Sequence, residues 1–256
     1  MSTERRVLVH HDTDALVASV AARFITKMVD ILDDLGEANV VLTGGRIGTA
    51  VLASINANPA RDTIDWSRVS FWWGDERWVP RDDDERNEKQ AREALLDHIA
   101  VPPENVHPFP ASGEGIELDD AVSRYEAELG AHAAGNTGMP RFDITFLGVG
   151  PDGHVASLFP HRSGISLDDC AVISVRNSPK PPPDRLSLTR PALNSSDRVW
   201  LVLAGADKAS ALGLALAGAS RDEVPVAGIK GRKRTVFFVD AEAAAEVPEN
   251  LIAPSY

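Results

Sequence analysis

Short apolar runs alternate with segments of helical periodicity along most of this chain, and few folds accept that pattern. Val7-Leu8-Val9 is the first run. From Asp12 to Leu35, apolar residues then recur at helical spacing: Leu16, Val20, Phe24, Met28, Ile31 and Leu35. Asp12 or Thr13 can cap that helix, and Gly36 stands where helices commonly stop. Asn39 to Thr43 reads as a buried strand, and a second helix is expected from about Ile47 to Asn56. Val69 to Trp73 is a third strand, while Glu85 to Ile99 and Asp119 to Ala133 read as helices. The second half repeats the logic, with strands at Asp143 to Leu147, Cys170 to Val175, Arg198 to Leu203 and Thr235 to Val239. A helix is expected from about Asp207 to Leu216. This order argues a parallel sheet with helices on both faces. The length of 256 residues suits a single α/β domain over 1–256. Ser178 to Pro183 is proline-rich, but it is too short to separate domains and reads as a stiff, extended loop.

Composition narrows the function. Hydrophobic residues make up 43%, enough for a core, so disorder is excluded as the main state. The net charge of −12 offers no excess of Lys and Arg for general nucleic-acid binding. No run of about 18 apolar residues exists, so no membrane helix is expected. The charged start, Met1 to Arg6, lacks the features of a signal peptide. Cys170 is the one cysteine and cannot form an intramolecular disulfide, which fits a reducing compartment; the cytoplasm is the expectation.

Ligands in open parallel sheets bind beyond the carboxyl ends of the strands. Four such ends here carry polar or Gly-rich sequence. Thr43-Gly44-Gly45-Arg46 lets backbone approach an anion at a helix N-terminus, with Arg46 adding donors; the alternative is a tight turn with an exposed arginine. Gly74 to Pro80 presents Asp75, Glu76 and Arg77 directly after an apolar strand. Either Arg77 is held by carboxylates and aimed at an anion, or the three charges only order the loop. Asp82 to Glu85 lacks the ligand spacing of a calcium loop and reads as a solvated, helix-starting run. Gly148-Val149-Gly150-Pro151-Asp152-Gly153-His154 is the strongest segment. His154 suits general-base work, and Asp152 could fix its tautomer.

Ser157 follows, but no G-x-S-x-G elbow surrounds any serine, and Ser157 is expected as a helix residue facing its own backbone. No H-E-x-x-H or cysteine cluster points to a metal, and His154 and His161 lack ligand spacing. Lys180 and Arg185 place two cations on the proline-rich loop. Lys208 is expected near a helix start, where the dipole disfavours it and a bound anion would relieve the conflict. Trp66, Trp72, Trp73, Trp78 and Trp200 are expected in the core or its rim, and Cys170 as buried and inert.

Taken in order, these blocks resemble the 6-phosphogluconolactonase family over nearly the whole chain. Leu42 to Gly45 is similar to its L-S/T-G-G loop. Asp75 to Pro80 is similar to its D-E-R-x-V-P block, with an Asn further on, here Asn87. Leu147 to Pro160 matches its G-x-G-x-D-G-H-x-A-S-L-F-P segment, and Ser178 to Arg185 its S-P-K-P-P-x-R loop. One difference is Ile47-Gly48-Thr49, where the family loop often continues Thr/Ser-Pro.

The resemblance implies a Rossmann-like, mostly parallel α/β fold and hydrolysis of 6-phospho-D-glucono-1,5-lactone to 6-phosphogluconate, without metal or organic cofactor. It implies His154 as base and Asp152 as its orienting partner, with Arg77 a catalytic candidate for phosphate or carbonyl contact. Gly44, Gly45, Arg46, Asp75, Lys180, Arg185 and Lys208 are the substrate- and phosphate-binding candidates. The related glucosamine-6-phosphate deaminases continue D-G-H with I-A-F-N-E-P, and their catalytic glutamate would fall at Phe159, which carries no proton. Sugar-phosphate-binding regulators carry an extra DNA-binding module, for which the first strand, within the opening ten residues, is expected to leave no room. A small-molecule substrate, no nucleic acid, no membrane and a monomer are the remaining expectations.

Overall fold

The computed structural model describes residues 4–135 and 137–252; the first three residues of the charged start lie outside them. Six strands form the main sheet: β1 (Glu4–His10), β2 (Ala38–Leu42), β3 (Val69–Trp73), β5 (Ile144–Gly148), β8 (Arg198–Leu203) and β9 (Arg234–Asp240). Their order is β1-β9-β8-β5-β2-β3, and every pairing is parallel. From β2 the chain moves outward to β3, whereas from β5 it moves the other way, to β8 and β9. The strand order therefore reverses between β2 and β5, and a crevice opens beyond their carboxyl ends.

Helix α1 (Thr13–Leu35) starts where the sequence placed it. Asp12 is the N-cap and accepts from the N–H of Ala15 at 2.8 Å; Gly36 closes the helix in the left-handed conformation. Leu16, Val20, Phe24, Met28 and Ile31 are buried along its inner stripe, but Leu35, in the final turn, is 46% exposed. Helix α2 (Gly45–Ala57) begins two residues before the expected Ile47, at the second glycine of the turn. Helix α4 (Leu118–Ala131) follows its expected range closely. Helix α6 (Ala209–Leu216) is preceded by a 3-10 turn, Ala206–Lys208. No helix among the described residues is long and apolar enough to cross a membrane.

Three expectations are corrected. The helix expected over 85–99 is shorter: α3 (Asn87–Ala94) ends at Leu95, whose φ of −146° leaves the helical region, and a 3-10 turn follows at Leu96–His98. The acidic run does not start that helix. It forms a turn in which Asp83 accepts from the N–H of Glu85, and Arg86 precedes the first helical residue, fully buried.

The strand near 170–175 does not join the parallel sheet. It is β6 (Val172–Val175) of a separate antiparallel sheet, ordered β4-β7-β6, with β4 (Asp75–Arg77) and β7 (Arg185–Leu188). β4 and β7 are short, and β4 carries three charges, so neither shows the apolar run of a core strand. Both are the stems of functional loops. A last short helix, α5 (Arg190–Asn194), is capped by Thr189. Trp66, Trp72, Trp73 and Trp200 are buried as expected, and Trp78 packs partly against the core.

Candidate active site

A cavity of about 770 Å³ opens at the β2–β5 reversal. Its wall includes Thr43 to Arg46, Gly148 to Pro151, His154, and Arg77 and Arg185 from the small sheet. The Thr43 hydroxyl accepts from the N–H of Gly148 at 3.2 Å and ties the two strand ends together. Of the ten residues singled out from sequence, nine line this space: Gly44, Gly45, Arg46, Asp75, Arg77, His154, Lys180, Arg185 and Lys208. Asp152 stands behind them, against His154.

The His154–Asp152 pair is tight. Asp152 Oδ1 lies 2.5 Å from His154 Nδ1, and Lys180 Nζ lies 3.9 Å from the same oxygen. Burial pushes the Asp152 carboxyl up, but the bonded His154 ring and the Lys180 charge outweigh it and hold the group well below the usual carboxylate range. An ionised carboxylate only accepts, so Nδ1 donates, and in the neutral ring Nε2 keeps a lone pair. The ring rests on Gly150, where an added Cβ would lie 1.9 Å from Nδ1; a side chain there would displace the imidazole. Phe159, buried, packs with its centroid 4.7 Å from the imidazole.

The cations divide by what holds them. Arg46 is exposed at the cavity rim, in the first turn of α2, whose leading N–H groups have no intrahelical partner and whose N-cap, Gly44, makes no side-chain cap. Arg77 is gripped by the carbonyl of Glu85, with the Glu85 carboxylate 3.6 Å away, and its Nε is buried without a partner. The guanidinium is thus held by Glu85 and not by the carboxylates of Asp75 and Glu76.

Glu76 turns inward instead. It accepts from the backbone N–H groups of Arg77, Asn87 and Glu88, each at 2.8 Å, and burial pushes its pKa up to about 7 although Arg86 pulls it down. Arg185 is buried and donates to the carbonyls of Lys180, Pro181 and Pro182 at 2.9–3.1 Å, with Nη1 4.0 Å from Asp75. Burial lowers its pKa and Asp75 opposes this. Lys208 precedes α6, and Asp207, 2.8 Å away, already offsets its conflict with the helix dipole.

Two residues were misjudged from sequence. Ser157 is not helical; it sits in a tight turn bridged by Val155 and Leu158, and its hydroxyl donates to Asp75 Oδ2 at 2.7 Å. Asn87 belongs to the cavity wall but was noted only as part of a block. Its Nδ2 donates to the carbonyl of Asp75 at 2.9 Å, and its Oδ1 is buried without a partner against Gly44. An added Cβ at Gly44 would lie 1.8 Å from that oxygen, so the glycine is required by the close approach of Asn87. The signal was present: an asparagine opening a helix soon after the charged block. Cys170 is half-buried, and burial pushes its thiol pKa up.

Comparison with known proteins adds an independent line. The family model for glucosamine-6-phosphate isomerases/6-phosphogluconolactonase matches residues 11–238. The chain belongs to this family. A Streptomyces coelicolor relative named 6-phosphogluconolactonase is 46% identical over 100% of this chain and 99% of its own length. A Mycobacterium tuberculosis relative of the same name is 46% identical over 93% of this chain and 96% of its own. The crystal structure of a Thermotoga maritima 6-phosphogluconolactonase superposes with a TM-score of 0.81, at 30% identity, over 93% of this chain and 100% of that one. That structure thus shares the fold described above.

Proposed function

We propose that this chain hydrolyses 6-phospho-D-glucono-1,5-lactone to 6-phospho-D-gluconate, with His154 as general base and no metal in the reaction. The observation that carries the reading is the His154–Asp152 pair at 2.5 Å on a cavity that also holds Arg46, Arg77, Lys180, Arg185 and Lys208. Five cations against the two carboxylates of Asp75 and Glu242 around one cavity, in a chain with net charge −12, are a local reversal of the overall charge, as an anionic sugar phosphate requires. Phe159 at the position of the deaminase glutamate favours ester chemistry over isomerisation. The names of the relatives agree.

In this mechanism, Nε2 of His154 removes a proton from water as its oxygen attacks the lactone carbonyl. Asp152 stabilises the imidazolium that forms. Arg77 stabilises the oxyanion. The ring C–O bond then breaks, and the departing oxygen takes the proton back from His154 as the carboxylic acid forms and ionises. The phosphate, held by the Gly44-Gly45-Arg46 turn and Lys208, supplies binding energy that positions the carbonyl. The working unit is one copy of the chain, residues 1–256 as a single domain, acting on a small molecule in a reducing cytoplasm; the single cysteine supports that compartment.

The test is acid release from freshly made lactone, with spontaneous opening subtracted. Native protein should turn over rapidly, and His154→Ala should lose roughly 10²–10⁴-fold in kcat with KM nearly unchanged. Equal kcat in both removes His154 from the mechanism. No native turnover, with 6-phosphogluconate still bound, makes the protein a sugar-phosphate binder instead.

A further inference from the structure

Away from the cavity, His107, Glu128 and His132 bring two imidazoles and a carboxylate to one point. His107 is fixed to the sheet edge: its N–H donates to the carbonyl of Phe71 at 2.9 Å, and its own carbonyl accepts from the Tyr125 hydroxyl at 3.0 Å. Glu128 and His132 are four residues apart at the end of α4, so they share one face. His107 Nδ1 lies 2.7 Å from Glu128 Oε1, and His132 Nδ1 lies 3.7 Å from the same oxygen. One donor atom from each residue falls within 4.8 Å of the others. None of the three lines the cavity.

One His–Glu hydrogen bond accounts for the His107 ring; the His132 ring sits against the Glu128 backbone carbonyl and also reaches the same carboxylate. Both rings are also set by one floor, the buried indole of Trp72. It stacks on His107 at 3.9 Å and meets His132 edge-on at 5.5 Å, while the imidazole centroids are 4.4 Å apart.

We propose that His107 Nδ1, Glu128 Oε1 and His132 Nδ1 form a binding site for one zinc-type divalent transition-metal ion, outside the active site. Tetrahedral bonds of about 2.0–2.1 Å put neighbouring donors about 3.3–3.5 Å apart. The observed 2.7 and 3.7 Å bracket that span, and the donors of the two rings lie within 4.8 Å of each other. A two-nitrogen, one-oxygen set suits Zn²⁺, Co²⁺ or Ni²⁺, whereas Mg²⁺ and Ca²⁺ require oxygen ligands. His132 Nδ1 also lies 3.1 Å from the carbonyl of Glu128. As the ion binds, any proton on the Nδ1 atoms moves to Nε2, and both imidazoles stay neutral. Glu128 and His132 side chains are 43% and 44% exposed, so the ion enters from solvent and keeps water as its fourth ligand. The ion would clamp the end of α4 to the β3 edge, which makes its role structural.

The experiment uses chelator-treated, untagged full-length protein titrated with Zn²⁺ and with Co²⁺. One ion per chain should bind, Co²⁺ should show tetrahedral absorption, and saturating Zn²⁺ should raise Tm by about 4 °C or more. Glu128→Gln and His132→Ala, at half-exposed sites that tolerate change, should each weaken binding at least about tenfold. His154→Ala should bind as the native protein does. Absence of stoichiometric binding overturns the proposal. So does undiminished binding in His132→Ala, and so does loss of binding in His154→Ala, which would put the ion in the cavity.

Discussion

Asp152 Oδ1 and His154 Nδ1 lie 2.5 Å apart in a turn whose glycine, Gly150, leaves no room for a side chain beneath the ring. Because the neighbouring His154 and Lys180 hold the carboxyl below its usual range, Asp152 is ionised throughout the working pH range. Asp152→Asn replaces an obligate acceptor with a group that can present a donor to Nδ1, and the ring loses its tautomer. We expect kcat to fall by about 10²-fold or more, with KM little changed. Steady-state kinetics on the lactone, with circular dichroism to verify folding, check this; native kcat in Asp152→Asn would end the orienting role.

Arg46 and Arg185 line one cavity but should fail in different ways. Arg46 is exposed at the cavity rim, so Arg46→Ala should raise KM and leave Tm unchanged. Arg185 is buried and holds three carbonyls of the proline-rich loop beside Asp75. Its removal leaves three backbone acceptors without their donor and takes the neighbouring cation from Asp75, at about 3–5 kcal/mol for a broken buried pair. Arg185→Ala should therefore lower Tm by several degrees as well as activity. Thermal melts of the two variants side by side decide it, and equal Tm values would contradict the division.

Gly44 and Asn87 should be energetically coupled. Gly44→Ala drives a methyl into Asn87 Oδ1 and should cost about 1–3 kcal/mol. Adding Asn87→Ala makes room, so the double variant should be more stable than the sum of the single effects allows. Denaturant titration of all four proteins measures the coupling, and strict additivity would show that Asn87 does not hold the turn.

Glu76 carries a pH signature. Burial raises its folded pKa to about 7 from an ordinary 4.5, so the folded state binds the extra proton between those values. Its contribution is fully present below pH 4.5 and is lost as pH rises through 7, an effect of order 3 kcal/mol at most. Glu76→Gln cannot titrate. It should be less stable at low pH, because an amide cannot accept from all three backbone N–H groups, and the gap to native should narrow as pH rises. A gap that is constant from pH 4.5 to 8 would refute the assignment.

Periodicity carried the main elements because it reports burial directly. The α1 stripe, its Asp12 cap and the strands β2, β3, β5, β8 and β9 each follow from residues next to one another in the chain. The small antiparallel sheet escaped because β4 and β7 are short, and the Asp75 carboxylate meets partners far along the chain. Asp75 and Ser157 are 82 residues apart when they bond. No local pattern announces such a contact.

The same division runs through the site. The sequence by itself determined the α/β class, the Gly-rich strand ends and the pairing of Asp152 with His154, because strand alternation and tight turns are properties of neighbouring residues. Only the tertiary structure decided which cations are free to meet a ligand and which are committed to scaffold. It sent Glu76 inward, bound Arg185 to the proline-rich loop, held Arg77 with Glu85 and set Asn87 under the Gly44-Gly45 turn. The reason is physical: a charge in a sequence has no partner until the fold supplies burial and distance, and those two quantities set whether it binds substrate or stabilises the wall around it.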